Sequence, residues 1–333
     1  MGAPMKRKFL ACLVALGLAP GTFVRSEPAP PDYTSPVIVK ALAVDALESG
    51  PLTLEGAWVL SSENDHFGGF SSLVVRPSGE FLSASDSGRL MAFPRPDTGS
   101  GEITLEPFLS SREVDKMAVD VESLAIDPAT GDLWAGLEWA QEIIALGSRL
   151  RRRDAVRPEE MKDWGGNSGP EAMVRLADGR FVVIEERASG PGLHRALVFP
   201  QDPVEGDRPI GFTFRGREDY RPSDAALLPD GRFAVLLRKV AWDLPLRFPS
   251  LIVIAEPEDI AKGQTLGSKV LARVDTPLPN DNFEGLAVIE DRPGQWDFWL
   301  ISDDNFASYQ RTLLLKLRWD VSGRSQARQK ARR

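Results

Sequence analysis

The chain has 333 residues, 42% hydrophobic and 26% charged, with a formal net charge of −8. That is enough apolar material for a full core, and the acid excess argues against a nucleic-acid binder working through a basic face. Cys12 is the only cysteine and His66 and His194 the only histidines, which excludes a disulfide scaffold, a thiolate zinc cluster and a three-histidine zinc site.

Lys6, Arg7 and Lys8 precede the apolar run Phe9 to Leu18, which ends at Ala19-Pro20-Gly21. A basic start followed by ~10 apolar residues is the pattern of a secretory signal, and it falls short of the ~20 needed to span a membrane. Residues 1–26 therefore read as a signal peptide, cleaved between Ala19 and Glu27. A periplasmic or secreted mature protein without Cys12 is expected. No later run approaches ~18 apolar residues, so no membrane span is expected. Residues 319–333 read as a basic, disordered tail, since Gly323 to Arg333 holds five Arg or Lys and no acid.

The chain between them repeats. Five segments read alike: Ser71 to Val75, Glu122 to Ile126, Glu171 to Arg175, Asp224 to Leu228 and Glu284 to Val288, with starts 51, 49, 53 and 60 residues apart. Each runs into a turn such as Pro77-Ser78-Gly79, Ala177-Asp178-Gly179 or Pro229-Asp230-Gly231, and then into a second β-rich run such as Phe181 to Ile184 or Phe298 to Ile301. A third run follows in most units, as at Ala196 to Phe199 and Leu251 to Ile254. Short strands with Gly/Pro punctuation and a period of ~50 residues indicate an all-β propeller rather than a sandwich or a solenoid. Five blades are expected over residues 36–318, with a sixth, degenerate blade left open. The β-rich stretches Val37 to Val39 and Ala57 to Leu60 lie outside the five units. They are expected to pair with the last blade near Leu313 to Arg318 and close the ring, because an open edge invites aggregation.

Registering the units on the first residue of the inner strand aligns Ser71, Glu122, Glu171, Asp224 and Glu284. Registering them on the second strand aligns Asp86, Glu138, Glu186, Arg238 and Asp303. The first two strands of a blade are antiparallel, so the start of one and the end of the other lie at the same end of the blade. Both sets should meet at one mouth of the channel, with Asp120, Asp281, Asn282, Asp304 and Asn305 beside them. Such a ring repels itself unless a bound cation, an internal Arg, raised pKa values or hydration offset the charge. Oxygen donors without Cys select hard cations, Ca²⁺ or alternatively Mg²⁺. The competing reading is that these carboxylates hydrogen-bond the amides of neighbouring blades. Ser71 and Ser72 lack a Gly-x-Ser-x-Gly elbow and read as small residues of a crowded strand. His66 precedes the first inner strand, while Arg187 and Lys239 follow second strands. All three are candidates for substrate contact.

Phe67-Gly68-Gly69-Phe70-Ser71-Ser72-Leu73 with Ser85-Asp86-Ser87-Gly88 resembles the opening of the bacterial phytase-like family known as "esterase-like activity of phytase". Asp120 to Leu124, Asn167 to Ala172, Pro222 to Ala225 and Asn282 to Leu286 fit its later blades, and the resemblance covers roughly residues 50 to 318. It implies a secreted β-propeller that hydrolyses esters or phosphate esters. The residues assign Glu122, Glu171, Asp224, Glu284, Asp86 and Asp303 to a metal, Glu138 and Glu186 to general-base catalysis, and Arg238, Lys239, Arg187 and His66 to an anionic or ester substrate. The expected protein is a monomer acting on a small molecule. The alternative is a propeller that binds a ligand or protein without turnover.

Overall fold

A computed structural model describes residues 30–99, 101–109, 119–166, 168–244, 246–307 and 309–322. The segment expected to be a signal peptide, Asn167 and the chain beyond Ser322 lie outside them. The chain begins with β1 (Ile38–Ala41), β2 (Glu48–Ser49) and β3 (Leu52–Ser61). Blade one follows as β4 (Val74–Val75), β5 (Phe81–Ala84), β6 (Arg89–Phe93) and β7 (Thr104–Pro107). Blade two is β8 (Val121–Ile126), β9 (Leu133–Leu137), β10 (Glu142–Leu146) and β11 (Arg152–Val156). Blade three is β12 (Pro170–Arg175), β13 (Phe181–Gly190), β14 (Leu193–Phe199) and β15 (Ile210–Arg215). Blade four is β16 (Arg221–Leu227), β17 (Phe233–Arg238), β18 (Ser250–Ala255) and, after β19 (Thr265–Gly267) joins the edge of blade three, β20 (Lys269–Val274). Blade five is β21 (Asn282–Arg292), β22 (Gln295–Asp303) and β23 (Thr312–Asp320).

Five sheets thus form a five-bladed, all-β propeller, and there is no sixth blade among the described residues. The ring closes as the spare N-terminal stretches suggested. β3 pairs antiparallel with β23 from Leu60 opposite Thr312 to Leu52 opposite Trp319, and β1 lies outside β3. The last strand runs to Asp320, with Trp319 buried, two residues past the boundary expected for the propeller. No helix among the described residues is long and apolar enough to cross a membrane.

Each blade is too thin to bury its own faces, so the core lies in the seams between blades. Five buried clusters occupy the five seams. Between blades three and four, for example, Val182 and Ile184 meet Phe233, Val235 and Leu237. The hairpin turns expected from the repeat place Gly79, Gly131, Gly179 and Gly231 at φ of +85°, +76°, +92° and +91°, a region other residues adopt at a cost. The closing seam carries an ionic staple as well. Asp297, fully buried on blade five, meets Arg318 at 2.7 Å, Lys316 at 3.1 Å and Arg95 from blade one at 3.6 Å.

Candidate active site at the acidic mouth

The inner strands of blades two to five begin with a one-residue bulge against the second strand. In blade two Val121 faces Leu137 and Ser123 faces Gly136, which leaves Glu122 in the bulge. The same count leaves Glu171 in blade three and Glu284 in blade five. A bulged residue is released from the ladder and re-aimed, here toward the axis. The next residue of the second strand supplies Glu138, Glu186, Arg238 and Asp303, and Asp86 lies at the same place in blade one.

Blade four corrects the register. There Pro222 faces Leu237 and Asp224 faces Leu236, so the bulged residue is Ser223. Asp224 sits one residue further along, and a slip of one residue turns a side chain to the other face. Its carboxylate accepts from the amides of Leu286 (2.7 Å), Ala225 (2.8 Å) and Leu73 (3.3 Å), which ties blade four to blades five and one. The assignment of Asp224 to the metal set therefore gives way to the competing reading, amide binding between blades. Ser71 and Ser223 occupy matching positions. Their hydroxyls donate to the carbonyls of Val121 (2.5 Å) and Phe283 (3.4 Å) in the next blade round the ring. Asp224→Ala leaves three buried amides without their acceptor and should cost about 2–4 kcal/mol, measured as a lower urea midpoint at unchanged slope.

The other predicted carboxylates do converge. Glu122 feels Glu171, Glu284, Asp120 and Glu138. Asp303 feels Glu284, Asp86 and Asp304. Arg238 stands among them, with its guanidinium 3.0 Å from Glu284, 3.2 Å from Glu186 and 3.7 Å from Glu171. These are the contacts of a counter-ion, so the predicted substrate clamp is already engaged by the protein itself. Asn282 orients Glu284 through a 2.8 Å hydrogen bond, and Arg221 reaches the far oxygen of Glu186 at 3.2 Å.

Arg238 neutralises one side of the mouth. On the other side, Asp120, Glu122 and Glu138 bring ligand oxygens within 4.8 Å of one another. Among the described residues no Lys or Arg lies within ion-pair distance of Glu122 or Glu138. Burial and mutual repulsion hold Glu122 and Glu171 well above the ordinary carboxylate range. The same causes push Glu138 up to about 7, with Asp120 and Glu186 as the nearest repelling charges, and Asp303 up to about 9. One oxygen of Glu171 is buried with no hydrogen-bond partner.

The remaining candidates lie further out. Lys239 pairs with Asp219 at 3.2 Å and covers the ring of Tyr220. Arg187 is exposed, and its amide donates to Ser168. His66 stacks on Tyr33, and its Nε2 accepts from Arg89 at 3.0 Å. Burial and Arg89 hold its pKa below the ordinary value.

Two positions of the mouth lay outside the residues assigned from the sequence. Asp120 and Arg221 each stand two residues before a bulge, where the other blades have Gly69, Gly169 and Asn282. Registering the repeat two residues earlier finds Gly69, Asp120, Gly169 and Asn282, and Arg221 joins them once blade four is registered on Ser223. His194, the second of the two histidines, is fully buried. Its Nδ1 lies 3.0 Å and 3.2 Å from the carbonyls of Glu186 and Glu185, where β13 bulges between Ile184 and Ala188.

Among solved structures, the chain is similar to hydrazine synthase of Kuenenia stuttgartiensis at 10% identity and a TM-score of 0.40, covering 74% of this chain and 62% of that one. It is similar to a gluconolactonase of Xanthomonas campestris at 10% identity and a TM-score of 0.43, covering 82% and 99%. A putative oxidoreductase (glucose dehydrogenase) of Thermus thermophilus matches at 14% identity and a TM-score of 0.42, covering 74% and 97%. No curated protein matches the chain. The family model described as "Phytase-like: Esterase-like activity of phytase" matches residues 65–306, from the His66 loop to the loop after Asp303, and the chain belongs to that family.

Proposed function

We propose that this protein is an exported, metal-dependent hydrolase that acts as a monomer on small phosphate or carboxylic esters at the acidic mouth. The observation that carries the reading is the Asp120–Glu122–Glu138 cluster, in which burial and repulsion push the Glu138 carboxyl up to about 7. The donor set is all oxygen and comes from the start of β8 and the turn after β9. That suits Ca²⁺, which takes 6–8 oxygens in flexible geometry, better than the octahedral Mg²⁺. Asp120 and Glu122 would hold the ion, which when bound supplies a Lewis acid and lowers the pKa of a water. Glu138 takes a proton from water at neutral pH, the task for which a pKa near 7 is best matched. Glu186 is held in place by Arg238 and Arg221. Arg238 opposes the upward shift of Glu171 and Glu284 and holds both in place.

A propeller that binds its ligand without turnover is the second reading. The engagement of Ser71 and Ser223 with main-chain carbonyls favours it, since neither serine is presented as a nucleophile. Assays of phosphate release and p-nitrophenyl ester cleavage, with EDTA and with added Ca²⁺, separate the two. The hydrolase should lose turnover in EDTA and regain it with Ca²⁺, and Glu138→Gln should lower kcat by ~10²–10⁴-fold. Ligand binding without turnover in any metal would establish the second reading.

A further inference from the structure

We propose that a groove between blades three and four is the leaving-group subsite of this mouth, and that it selects esters carrying one acid group on an uncharged ring over multiply phosphorylated compounds. The inference rests on the hydrolase reading and adds its substrate class.

The groove exists because the β13–β14 hairpin continues past Glu186 and stands above the mouth. Its tip at Pro191 and Gly192 forms one wall and Lys239 to Trp242 another, and with Tyr220 and Arg221 they line an open groove of about 770 Å³. That volume holds a ring-bearing molecule of ordinary ligand size. The first wall is fixed. Gly192 lies at φ +63°, its carbonyl accepts from the amide of Gly216 at 2.9 Å, and a Cβ there would come within 2.8 Å of the Arg217 backbone. The groove also opens onto the chemistry, since Arg221 lines it and touches Glu186 at 3.2 Å, while Lys239 directly follows Arg238.

Charge and surface decide what fits. The cations lining the groove are both matched, Lys239 by Asp219 and Arg221 by Glu186. Glu218 and Asp219 line it too. A polyanion entering it would meet these acids and the carboxylates of the mouth, with no unmatched cation in the lining to offset them. Two aromatic rings remain. Tyr220 carries Lys239 on one face, and Trp242 is 89% exposed. Six of the eight tryptophans are buried, so a nearly bare indole at the lip stands out as a platform for a planar or sugar ring.

The test compares kcat and KM for a p-nitrophenyl monoester, the matching methyl ester and inositol hexakisphosphate, in wild type and Trp242→Ala. The p-nitrophenyl monoester should be the best of the three. Trp242→Ala should raise its KM by about 5–10-fold at unchanged kcat and leave the methyl ester unaffected. Faster hydrolysis of inositol hexakisphosphate, or an unchanged KM in Trp242→Ala, would overturn the groove. Calorimetric titration with an aryl phosphonate, which cannot turn over, separates this claim from the hydrolase reading. If no ester is hydrolysed but the phosphonate binds and Trp242→Ala weakens it, the hydrolase reading fails and the groove stands. If the phosphonate does not bind, the groove fails.

Discussion

Arg238→Met should destabilise the metal-free protein by about 3–5 kcal/mol at pH 8, because it leaves three buried carboxylates without their cation. For a domain of this size that is roughly 5–15 °C in melting temperature. Glu171 and Glu284 are buried, and Arg238 is the charge that opposes their upward shift. At pH 5 these carboxyls protonate more readily and the penalty should shrink, so the deficit measured by thermal melts should be larger at pH 8. Added Ca²⁺ should return part of it by supplying another positive charge. A variant that melts like wild type at pH 8 would show that Arg238 is not the counter-ion and would restore its reading as a substrate clamp.

The metal-free wild-type protein should itself lose stability as pH rises from about 5 to about 9. The sign follows from the raised carboxyls. Glu138 moves from an ordinary 4.5 to about 7 and Asp303 from 3.8 to about 9. A group that binds its proton more tightly when folded gives its full stabilisation below the unfolded pKa and loses it as pH climbs through the folded one. Glu138 alone accounts for about 2 kcal/mol once solvent screening is allowed for. Glu122 and Glu171 shift the same way. Below pH 4 the slope should reverse, because Asp97 and Asp275 are held low by their ion pairs and lose them on protonation. Melts at one-unit intervals from pH 3 to pH 9 should therefore show a maximum near pH 5. A monotonic rise toward pH 8 would contradict the electrostatics of the mouth.

The fold was legible because a propeller repeats. Turn glycines and apolar doublets recur in every blade, and the unpaired stretches before Ser61 had to go somewhere. The mouth was legible where composition and register agreed, as for Glu122, Glu171, Glu284 and the second-strand set. It failed at Asp224 because apolar similarity aligned Asp224-Ala225-Ala226 with Glu284-Gly285-Leu286. The bulge that fixes the true register is a feature of pairing and leaves no mark in one strand read alone. Arg238 posed a different difficulty. Its position showed a cation among acids, but whether that cation faces substrate or its own neighbours depends on distances. Arg221 and Asp120 precede the apolar run that defines the repeat, and the groove at Trp242 arises from three loops distant in sequence.

The central claim is that the mouth is built to hold a hard divalent cation, and the most direct test is the melting temperature of EDTA-stripped protein with and without Ca²⁺ at pH 5 and pH 8. At pH 8, with Ca²⁺ at ~100 times its Kd, the gain should be about 2–3 kcal/mol. At pH 5 protons compete for Glu122 and Glu138, and the gain should fall towards zero. Superimposable melts at pH 8 with and without Ca²⁺ would contradict the claim.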